Sequence, residues 1–165
     1  RIQTTVNGFA GVPGRLEEVR MGQKFRAVVD FAHTPNALEQ VLRELKGQKS
    51  KVKKLILLFG CAGLRDKLKR PMMGKIAKML ADKVIVTAED PRTEKLEDIY
   101  LQITQGQEGF VREDDRQKAI DLAVHLAQPG DILVITGKGH EKSMCFGTTE
   151  YPWSDVQAIR KAIKQ

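Results

Sequence analysis

Short apolar runs alternate with amphipathic helical patterns along most of this chain, and that alternation limits the folds open to it. The clearest run covers 54–59, where nearly every residue is apolar, as in a strand buried on both faces of a parallel sheet. Similar runs cover 25–31, 84–87, 110–111 and 131–136, with helical stripes of apolar residues between them. Strands joined through helices favour right-handed crossovers. The sequence therefore predicts an α/β fold, a Rossmann-like, open, mostly parallel sheet of about six strands with helices on both faces.

Capping residues predict where several helices begin. Thr34 followed by Pro35 is typical of an N-cap and a first helical position, and Pro71 and Ser154 predict two further helix starts. The first twenty residues do not fit the alternation, and their glycines and proline predict an entry segment or an edge hairpin. We find no repeat and no interdomain linker, so residues 1–165 are interpreted as a single domain.

Composition excludes several classes of protein. Hydrophobic residues make up 41% and charged residues 30% of the chain, as in ordinary globular domains. No apolar run approaches the ~20 residues that span a bilayer, so no membrane association is expected. Two cysteines and three histidines without ligand spacing predict neither a disulfide scaffold nor a metal site, and a reducing cytoplasm is the expected location. Because the chain lacks both a secretory leader and an initial Met, we expect a piece of a longer protein or a processed product.

Positive charge is concentrated in one window. The whole chain carries +7, and residues 46–70 contain nine basic residues and a single acidic one. A basic patch can bind nucleic acid or a phosphorylated small molecule. No aromatic residue interleaves with the run at 46–54, which argues against a platform for single-stranded nucleic acid and favours a solvated loop. The basic residues at 65, 67, 69 and 70 follow a glycine-rich turn after a strand, a suitable place to meet an anion.

Polar clusters follow four of the predicted strands. They cover 30–35, 60–66, 89–92 and 137–141 and combine arginine and lysine with carboxylates. Ligands of open α/β sheets bind beyond the carboxyl ends of the strands, so the four clusters are expected at one edge. Arginine makes bidentate contacts with carboxylate or phosphate. The edge therefore suits a zwitterionic substrate beside a phosphate-bearing one.

Two common nucleotide motifs are absent from the sequence. No G-x-x-x-x-G-K-[ST] phosphate loop occurs, and no G-x-G-x-x-G follows the first strand. Asp30 and His33 could form a dyad, but no motif places a serine or cysteine beside them, which argues against an independent hydrolase.

At these clusters the sequence resembles the C-terminal domain of the Mur ligases, the ATP-dependent enzymes that add amino acids to the peptidoglycan precursor. The combination looks most like the tripeptide-synthetase branch. The matching motifs lie in order along nearly the whole chain: GVPGR at 11–15, VVDFAHTPNAL at 28–38, LFGCAGLRDKLKRPMMG at 58–74, ADKVIVTAEDPRTE at 81–94 and GDILVITGKGHE at 130–141.

The resemblance implies a three-domain parent enzyme of which only the last domain is present here. An N-terminal domain would hold the uridine nucleotide, and a central domain would hold most of the ATP and Mg²⁺. The C-terminal domain would close over both and bring in a diamino acid for attachment to UDP-N-acetylmuramoyl-L-alanyl-D-glutamate. The central domain is thus an expected partner, nucleic acid and membrane are not, and the isolated chain is expected to be inactive.

The resemblance also implies roles for individual residues, none of them catalytic in this domain. Asp30 matches a contact with a ribose hydroxyl of the nucleotide, Arg15 matches a contact near the ribose or phosphate, and His33 matches a histidine near the ATP site. The remaining matches form the diamino-acid pocket: Arg65, Asp90, Pro91, Arg92, Gly137 and Glu141. Arg65 and Arg92 would hold carboxylates, whereas Glu141 and the Gly137 carbonyl would receive an ammonium group.

Substrate choice depends on two departures from the family pattern. Asp90 stands where diaminopimelate enzymes typically have Asn, and its charge is expected to weaken carboxylate binding locally. Leu64 replaces a polar or acidic residue before Arg65. Because Arg92 is retained to hold a second carboxylate, we expect meso-diaminopimelate rather than L-lysine. The alternatives are a folylpolyglutamate- or cyanophycin-synthetase type of domain, against which GKGHE argues, and a non-catalytic nucleotide- or nucleic-acid-binding module.

Overall fold

The structure is a computed structural model that describes residues 12–47 and 53–165. Residues 1–11 of the predicted entry segment and 48–52 of the basic run lie outside the described residues. The strands are β1 (Glu17–Val19), β2 (Arg26–Asp30), β3 (Leu55–Phe59), β4 (Lys83–Val86), β5 (Phe110–Arg112), β6 (Ile132–Thr136), β7 (Ser143–Phe146) and β8 (Thr149–Pro152). The helices are α1 (Pro35–Gly47), α2 (Lys69–Leu80), α3 (Leu96–Thr104), α4 (Arg116–Leu126) and α5 (Asp155–Ile163).

Six of the strands form a mostly parallel sheet, as the sequence predicts. Their order is β1-β2-β6-β3-β4-β5, and only β1 is antiparallel to its neighbour. Strand β6 lies between β2 and β3, so Val134 of β6 pairs with Val28 on one side and Leu57 on the other. All five predicted runs become strands, and each strand end lies within one residue of the prediction. The predicted edge hairpin is represented by the short edge strand β1.

Helices cover both faces of the sheet because successive strand residues point to opposite sides. On one face, Leu57 and Phe59 pack with residues of α1, α2 and α3, including Leu42 and Met73. On the other face, Ile56 and Leu58 pack with Ile120 of α4 and Ile159 of α5. The inner strands are therefore apolar at almost every position, which explains the continuous runs in the sequence.

Helix starts agree with the capping signals at two of three positions. The backbone N–H of Ala37 donates to Thr34 Oγ1 at 3.3 Å, and that of Gln157 donates to Ser154 Oγ at 3.3 Å. The prediction that Pro71 opens a helix is wrong, because α2 begins two residues earlier. Proline is tolerated there since the first turn of a helix has N–H groups without intrahelical partners.

A second, two-stranded sheet was not predicted. Strands β7 and β8 form an antiparallel hairpin in which every residue of β8 is exposed. The hairpin is joined to the loop after β4, since the N–H of Arg92 donates to the Cys145 carbonyl at 3.1 Å and that of Gly147 donates to the Arg92 carbonyl at 2.9 Å. It therefore packs beside the polar cluster that follows β4.

Candidate functional site

The carboxyl ends of β2, β3, β4 and β6 meet around one cleft of about 590 Å³. Each of the four polar clusters contributes to its wall, which confirms that they share one edge of the sheet. We call it the carboxyl-edge cleft, and its lining residues are Phe31, His33, Thr34, Ala62, Arg65, Asp66, Lys69, Glu89, Asp90, Arg92, Gly137 and Glu141.

The glycine-rich turn after β3 presents Arg65 to the cleft. Gly63 packs so closely on the next loop that a Cβ there would lie 1.9 Å from the Pro91 carbonyl oxygen. Leu64 adopts a left-handed backbone with φ of 55°, and its N–H donates to Glu94 at 2.9 Å. The exposed Arg65 guanidinium makes no hydrogen bond or ion pair within residues 12–47 and 53–165. Its donors are thus available to an anion.

Arg70 does not meet an anion in the cleft as the sequence suggested. Its side chain is fully buried, and its Nη1 and Nη2 atoms lie 2.8 and 2.9 Å from the two carboxylate oxygens of Glu94. Lys67 pairs with the same carboxylate at 2.9 Å. Hydrogen bonds from Arg70, and then from the Leu64 backbone, hold the pKa of Glu94 well below its usual range. Arg70 therefore supports the turn that carries Arg65.

The turn at Asp90, Pro91 and Arg92 has an unusual backbone. Asp90 and Arg92 have φ of 42° and 52°, a left-handed conformation that non-glycine residues rarely adopt. The N–H of Gly63 donates to the Asp90 carbonyl at 2.9 Å, and this bond helps to hold the turn. Pro91 is buried and does not line the cleft. This conformation places Arg92 in the cleft wall, where Nη1 donates to the Gly63 carbonyl at 3.0 Å.

The Asp90 carboxylate is neutralised by a buried lysine that the sequence analysis did not single out. Lys138 Nζ lies 2.8 Å from both Asp90 oxygens, and the N–H of Cys145 donates to the same carboxylate at 2.9 Å. The Lys138 side chain is 2% exposed and also contacts Glu141 at 2.6 Å. Burial lowers the pKa of Lys138, but its bonds to the two carboxylates leave it raised overall. The Asp90 charge, from which the sequence predicts weaker carboxylate binding, is therefore paired with a cation.

Glu89 is a functional candidate that sequence reasoning missed. It is 5% exposed, lines the cleft, and its Oε2 atom has no hydrogen-bond partner among the described residues. Burial raises the pKa of Glu89 to about 7, although Arg116 opposes the shift. Gly137 leaves room for this carboxylate, since it has φ of 107° and a Cβ there would lie 2.0 Å from Oε2. The only available signal was a carboxylate directly after a strand in a polar cluster.

The three expected nucleotide contacts lie around Phe31 at one end of the cleft. The Arg15 guanidinium stacks over the Phe31 ring at 4.9 Å, and the His33 ring lies 4.6 Å from the same ring. His33 lines the cleft, whereas Arg15 and Asp30 do not. The buried Asp30 carboxylate accepts hydrogen bonds from the N–H groups of Leu16 and Ala32, each at 2.8 Å. Asp30 therefore ties the segment before β1 to the end of β2.

The cleft has the chemistry to hold a zwitterion. Arg65 and Arg92 offer guanidinium donors for carboxylates, and Glu141, which is 41% exposed, offers a carboxylate for an ammonium group. Among the described residues, no group of three or more His, Cys, Asp or Glu side chains could hold a metal ion. None of the described helices is both long enough and apolar enough to span a membrane.

Comparison with known sequences points to one family. A family model described as "Mur ligase, glutamate ligase domain" matches residues 14–139. A ligase from Fusobacterium nucleatum named UDP-N-acetylmuramoyl-L-alanyl-D-glutamate–2,6-diaminopimelate ligase is 40% identical over 96% of this chain and 33% of its own length. The ligase of the same name from Leptospira borgpetersenii is 46% identical over 92% of this chain and 31% of its own length. A UDP-N-acetylmuramyl-tripeptide synthetase from Roseiflexus is 41% identical over 94% of this chain and 32% of its own length.

Solved structures agree with these sequence matches. The structure of a UDP-N-acetylmuramoyl-L-alanyl-D-glutamate–2,6-diaminopimelate ligase matches with a TM-score of 0.86 and 39% identity, over 98% of this chain and 33% of the other. A folylpolyglutamate synthase/dihydrofolate synthase from Yersinia pestis has a TM-score of 0.62 at 20% identity, over 79% and 30%, and shares the fold alone. The chain spans about a third of the length of the curated relatives it matches.

Proposed function

This chain belongs to the Mur ligase family as a glutamate ligase domain, and we propose that it is the amino-acid-binding domain of an ATP-dependent ligase that adds a diamino acid to UDP-N-acetylmuramoyl-L-alanyl-D-glutamate. The names of the relatives described above support this reaction. Because the chain spans a third of their length, the uridine-nucleotide domain and the central ATPase domain are proposed to lie in the rest of the parent enzyme.

The observation that carries the proposal is that the Arg92 guanidinium faces the cleft with unused donors. The guanidinium lines the cleft, and its only hydrogen bonds within the described residues come from Nη1, to the carbonyls of Gly63 and Asp90. The Nε and Nη2 donors are thus available for a carboxylate. Arg65 supplies a second guanidinium and Glu141 a carboxylate in the same cleft. Two carboxylate-binding groups and an ammonium-binding group match a diamino acid with two carboxylates, which favours meso-diaminopimelate over L-lysine.

The domain's part in the reaction would be to orient the attacking amine. ATP would transfer a phosphoryl group to the glutamate carboxylate, giving an acyl phosphate and ADP. The amine of the bound diamino acid would then attack the acyl carbon, lose a proton and displace inorganic phosphate. Arg65, Arg92 and Glu141 would fix the amino acid so that one amine faces the activated carbon. Positioning of this kind can lower the activation free energy by several kcal/mol. No step of bond formation is assigned to a side chain of this domain.

The nucleotide would meet this domain along its ribose side, in the closed parent enzyme. Arg15 is exposed and stacked on Phe31, so its guanidinium can reach a ribose or phosphate oxygen. Asp30 retains lone pairs beyond its two backbone hydrogen bonds, and His33 lies beside Phe31. The described residues offer no cluster of ligands for Mg²⁺, which would be held by the central domain. Two free thiols agree with a cytoplasmic location.

The test measures the amino-acid preference of the full-length enzyme for meso-diaminopimelate and L-lysine. Arg92→Ala should lower the preference for diaminopimelate by roughly ten- to a hundredfold, because a charge-assisted hydrogen bond is worth about 1.5–3 kcal/mol. Arg160→Ala, at an exposed position of α5, is the matched control and should leave the preference unchanged. A wild-type preference for lysine, or an unchanged preference in Arg92→Ala, would contradict the proposed specificity.

A further inference from the structure

Lys138 lies where two loops of the cleft meet, the loop after β4 and the loop after β6. Its ammonium group contacts both oxygens of Asp90 at 2.8 Å and Glu141 Oε2 at 2.6 Å. Asp90 belongs to the loop after β4, and Glu141 belongs to the loop after β6. One buried side chain therefore joins the loop that carries Arg92 to the loop that carries Glu141.

A short series of hydrogen bonds connects Lys138 to Arg92 itself. The Asp90 carboxylate, held by Lys138, accepts the N–H of Cys145 at 2.9 Å. The carbonyl of Cys145 in turn accepts the N–H of Arg92 at 3.1 Å. The backbone of Arg92 has a left-handed φ of 52°, a conformation that the surrounding structure must maintain. Lys138 thus supports the backbone from which the Arg92 guanidinium projects.

Charge balance in the cleft also depends on Lys138. Four carboxylate side chains line the cleft, against three side chains of lysine or arginine. Lys138 is not itself part of the lining, but its ammonium group contacts two of those carboxylates from beneath. Without it, Asp90 and Glu141 would leave two uncompensated negative charges near the position proposed for a substrate carboxylate. Such uncompensated charges repel an anionic group strongly at partly buried sites.

We infer that Lys138 is a positioning residue for substrate specificity. It neutralises the charge of Asp90 and holds the loops of Arg92 and Glu141 in their relative positions. The cleft can therefore accept a second substrate carboxylate although Asp90 lies in the turn that carries Arg92. The inference rests on the proposed function, since it concerns the choice between two diamino acids. Lys138 acts through other groups and is not proposed to contact the substrate.

The experiment compares kcat and KM for meso-diaminopimelate and L-lysine in the full-length enzyme and four variants. Lys138→Met should reduce the preference for diaminopimelate at least about tenfold, mainly through a higher KM for diaminopimelate, because Asp90 becomes an unpaired charge. Adding Asp90→Asn to Lys138→Met should restore the preference to within about threefold of wild type, since the unpaired charge is removed. Lys142→Met, an exposed lysine in the same loop, is the matched control and should behave as wild type.

Asp90→Asn alone keeps the experiment decisive if Lys138→Met fails to fold. Removing the Asp90 charge leaves the Lys138 ammonium with Glu141 as its one carboxylate partner among the described residues, so this variant should raise the preference for diaminopimelate by up to about tenfold. The double variant should return that preference to within about threefold of wild type. Equal preferences in Asp90→Asn and in the double variant would show that Lys138 contributes no charge to the choice, and would overturn the inference. A soluble Lys138→Met variant with unchanged preference would overturn it as well. These outcomes concern changes in preference, whereas the proposed function depends on which amino acid the wild type prefers, so the two can fail separately.

Discussion

Arg116 and Arg92 lie at the same edge of the sheet, but their surroundings assign them opposite roles. The Arg116 guanidinium is buried and makes four hydrogen bonds, two to Asp155 at 2.8 Å and one each to the carbonyls of Ala88 and Thr136. Arg92 uses only Nη1, for the carbonyls of Gly63 and Asp90, and faces a cleft. Saturated donors stabilise the fold, whereas unused donors are available to a ligand.

The comparison shows how a polar edge can be built without losing stability. Arg116 joins the segment after β4 and the last residue of β6 to the start of α5. The two carbonyls that it binds belong to Ala88 and Thr136, the residues before Glu89 and Gly137 of the cleft. Asp155 also accepts the indole N–H of Trp153 at 2.8 Å, so the buried carboxylate is well satisfied. Arg70 does the same for the glycine-rich turn through Glu94. We call Arg116–Asp155 and Arg70–Glu94 the closed pairs, and Arg92 and Arg65, which keep unused donors, the open arginines. The closed pairs therefore hold the loops from which the open arginines project.

The largest expected effect is a loss of stability when the Arg116–Asp155 pair is broken. Arg116→Met leaves the Asp155 carboxylate buried without its partner, which should lower the free energy of unfolding by about 3–5 kcal/mol. Urea denaturation of the 165-residue chain measures this change. Adding Asp155→Asn should recover part of the loss, because the two side chains interact directly. A loss below about 1 kcal/mol would show that the pair contributes little beyond what water offers.

An intermediate effect on stability is expected from Glu89, a buried carboxylate that lines the cleft. Its pKa is about 7 in the folded chain against 4.5 for the ordinary group. Because the folded pKa is raised, the folded state binds the proton more tightly, and this contribution to stability is present below pH 4.5 and lost as pH rises through 7. Glu89→Gln should therefore be more stable than wild type at pH 8, by up to about 3 kcal/mol, and nearly equal at pH 4.

Urea denaturation across this pH range provides the measurement for Glu89. Glu108→Gln, at an exposed position between α3 and β5, is the control and should follow the wild-type pH dependence. If the difference between wild type and Glu89→Gln does not change with pH, the Glu89 carboxyl group does not titrate differently in the folded and unfolded chains.

The smallest stability effect is expected at Arg65, the most open of these arginines. Its guanidinium has no partner within residues 12–47 and 53–165, so Arg65→Ala should change the free energy of unfolding by less than about 0.5 kcal/mol. The same variant of the full-length enzyme should raise KM for diaminopimelate and for lysine by a similar factor, because Arg65 is proposed to hold the carboxylate that both share. A stability loss of several kcal/mol would show that the Arg65 guanidinium supports the fold. A change in KM for one amino acid alone would show that Arg65 does not hold the carboxylate that both share.

Local patterns in the sequence were sufficient to predict the six-stranded sheet and the helices that cover it. The strands are continuous apolar runs because helices cover both faces, and that burial leaves a direct trace in composition. Thr34 and Ser154 cap helices through bonds within three residues, so their roles also follow from neighbouring residues. Pro71 misled because the first helical turn tolerates proline at more than one position. The β7–β8 hairpin was missed because the exposed strand β8 has no buried face to impose a pattern.

The sequence alone determined the fold class, the common edge of the four polar clusters and the residues that line most of the cleft. Only the tertiary structure decided which charges there are free. Lys138 neutralises Asp90 across 48 positions, and Arg70 is removed from the basic surface by Glu94, 24 positions away. Spacing along the chain carries no information about such pairs, because the loops that bring them together depend on the assembled sheet. The availability of a charged group is therefore a property of its tertiary contacts, whereas the position of its strand or helix is largely a property of local sequence.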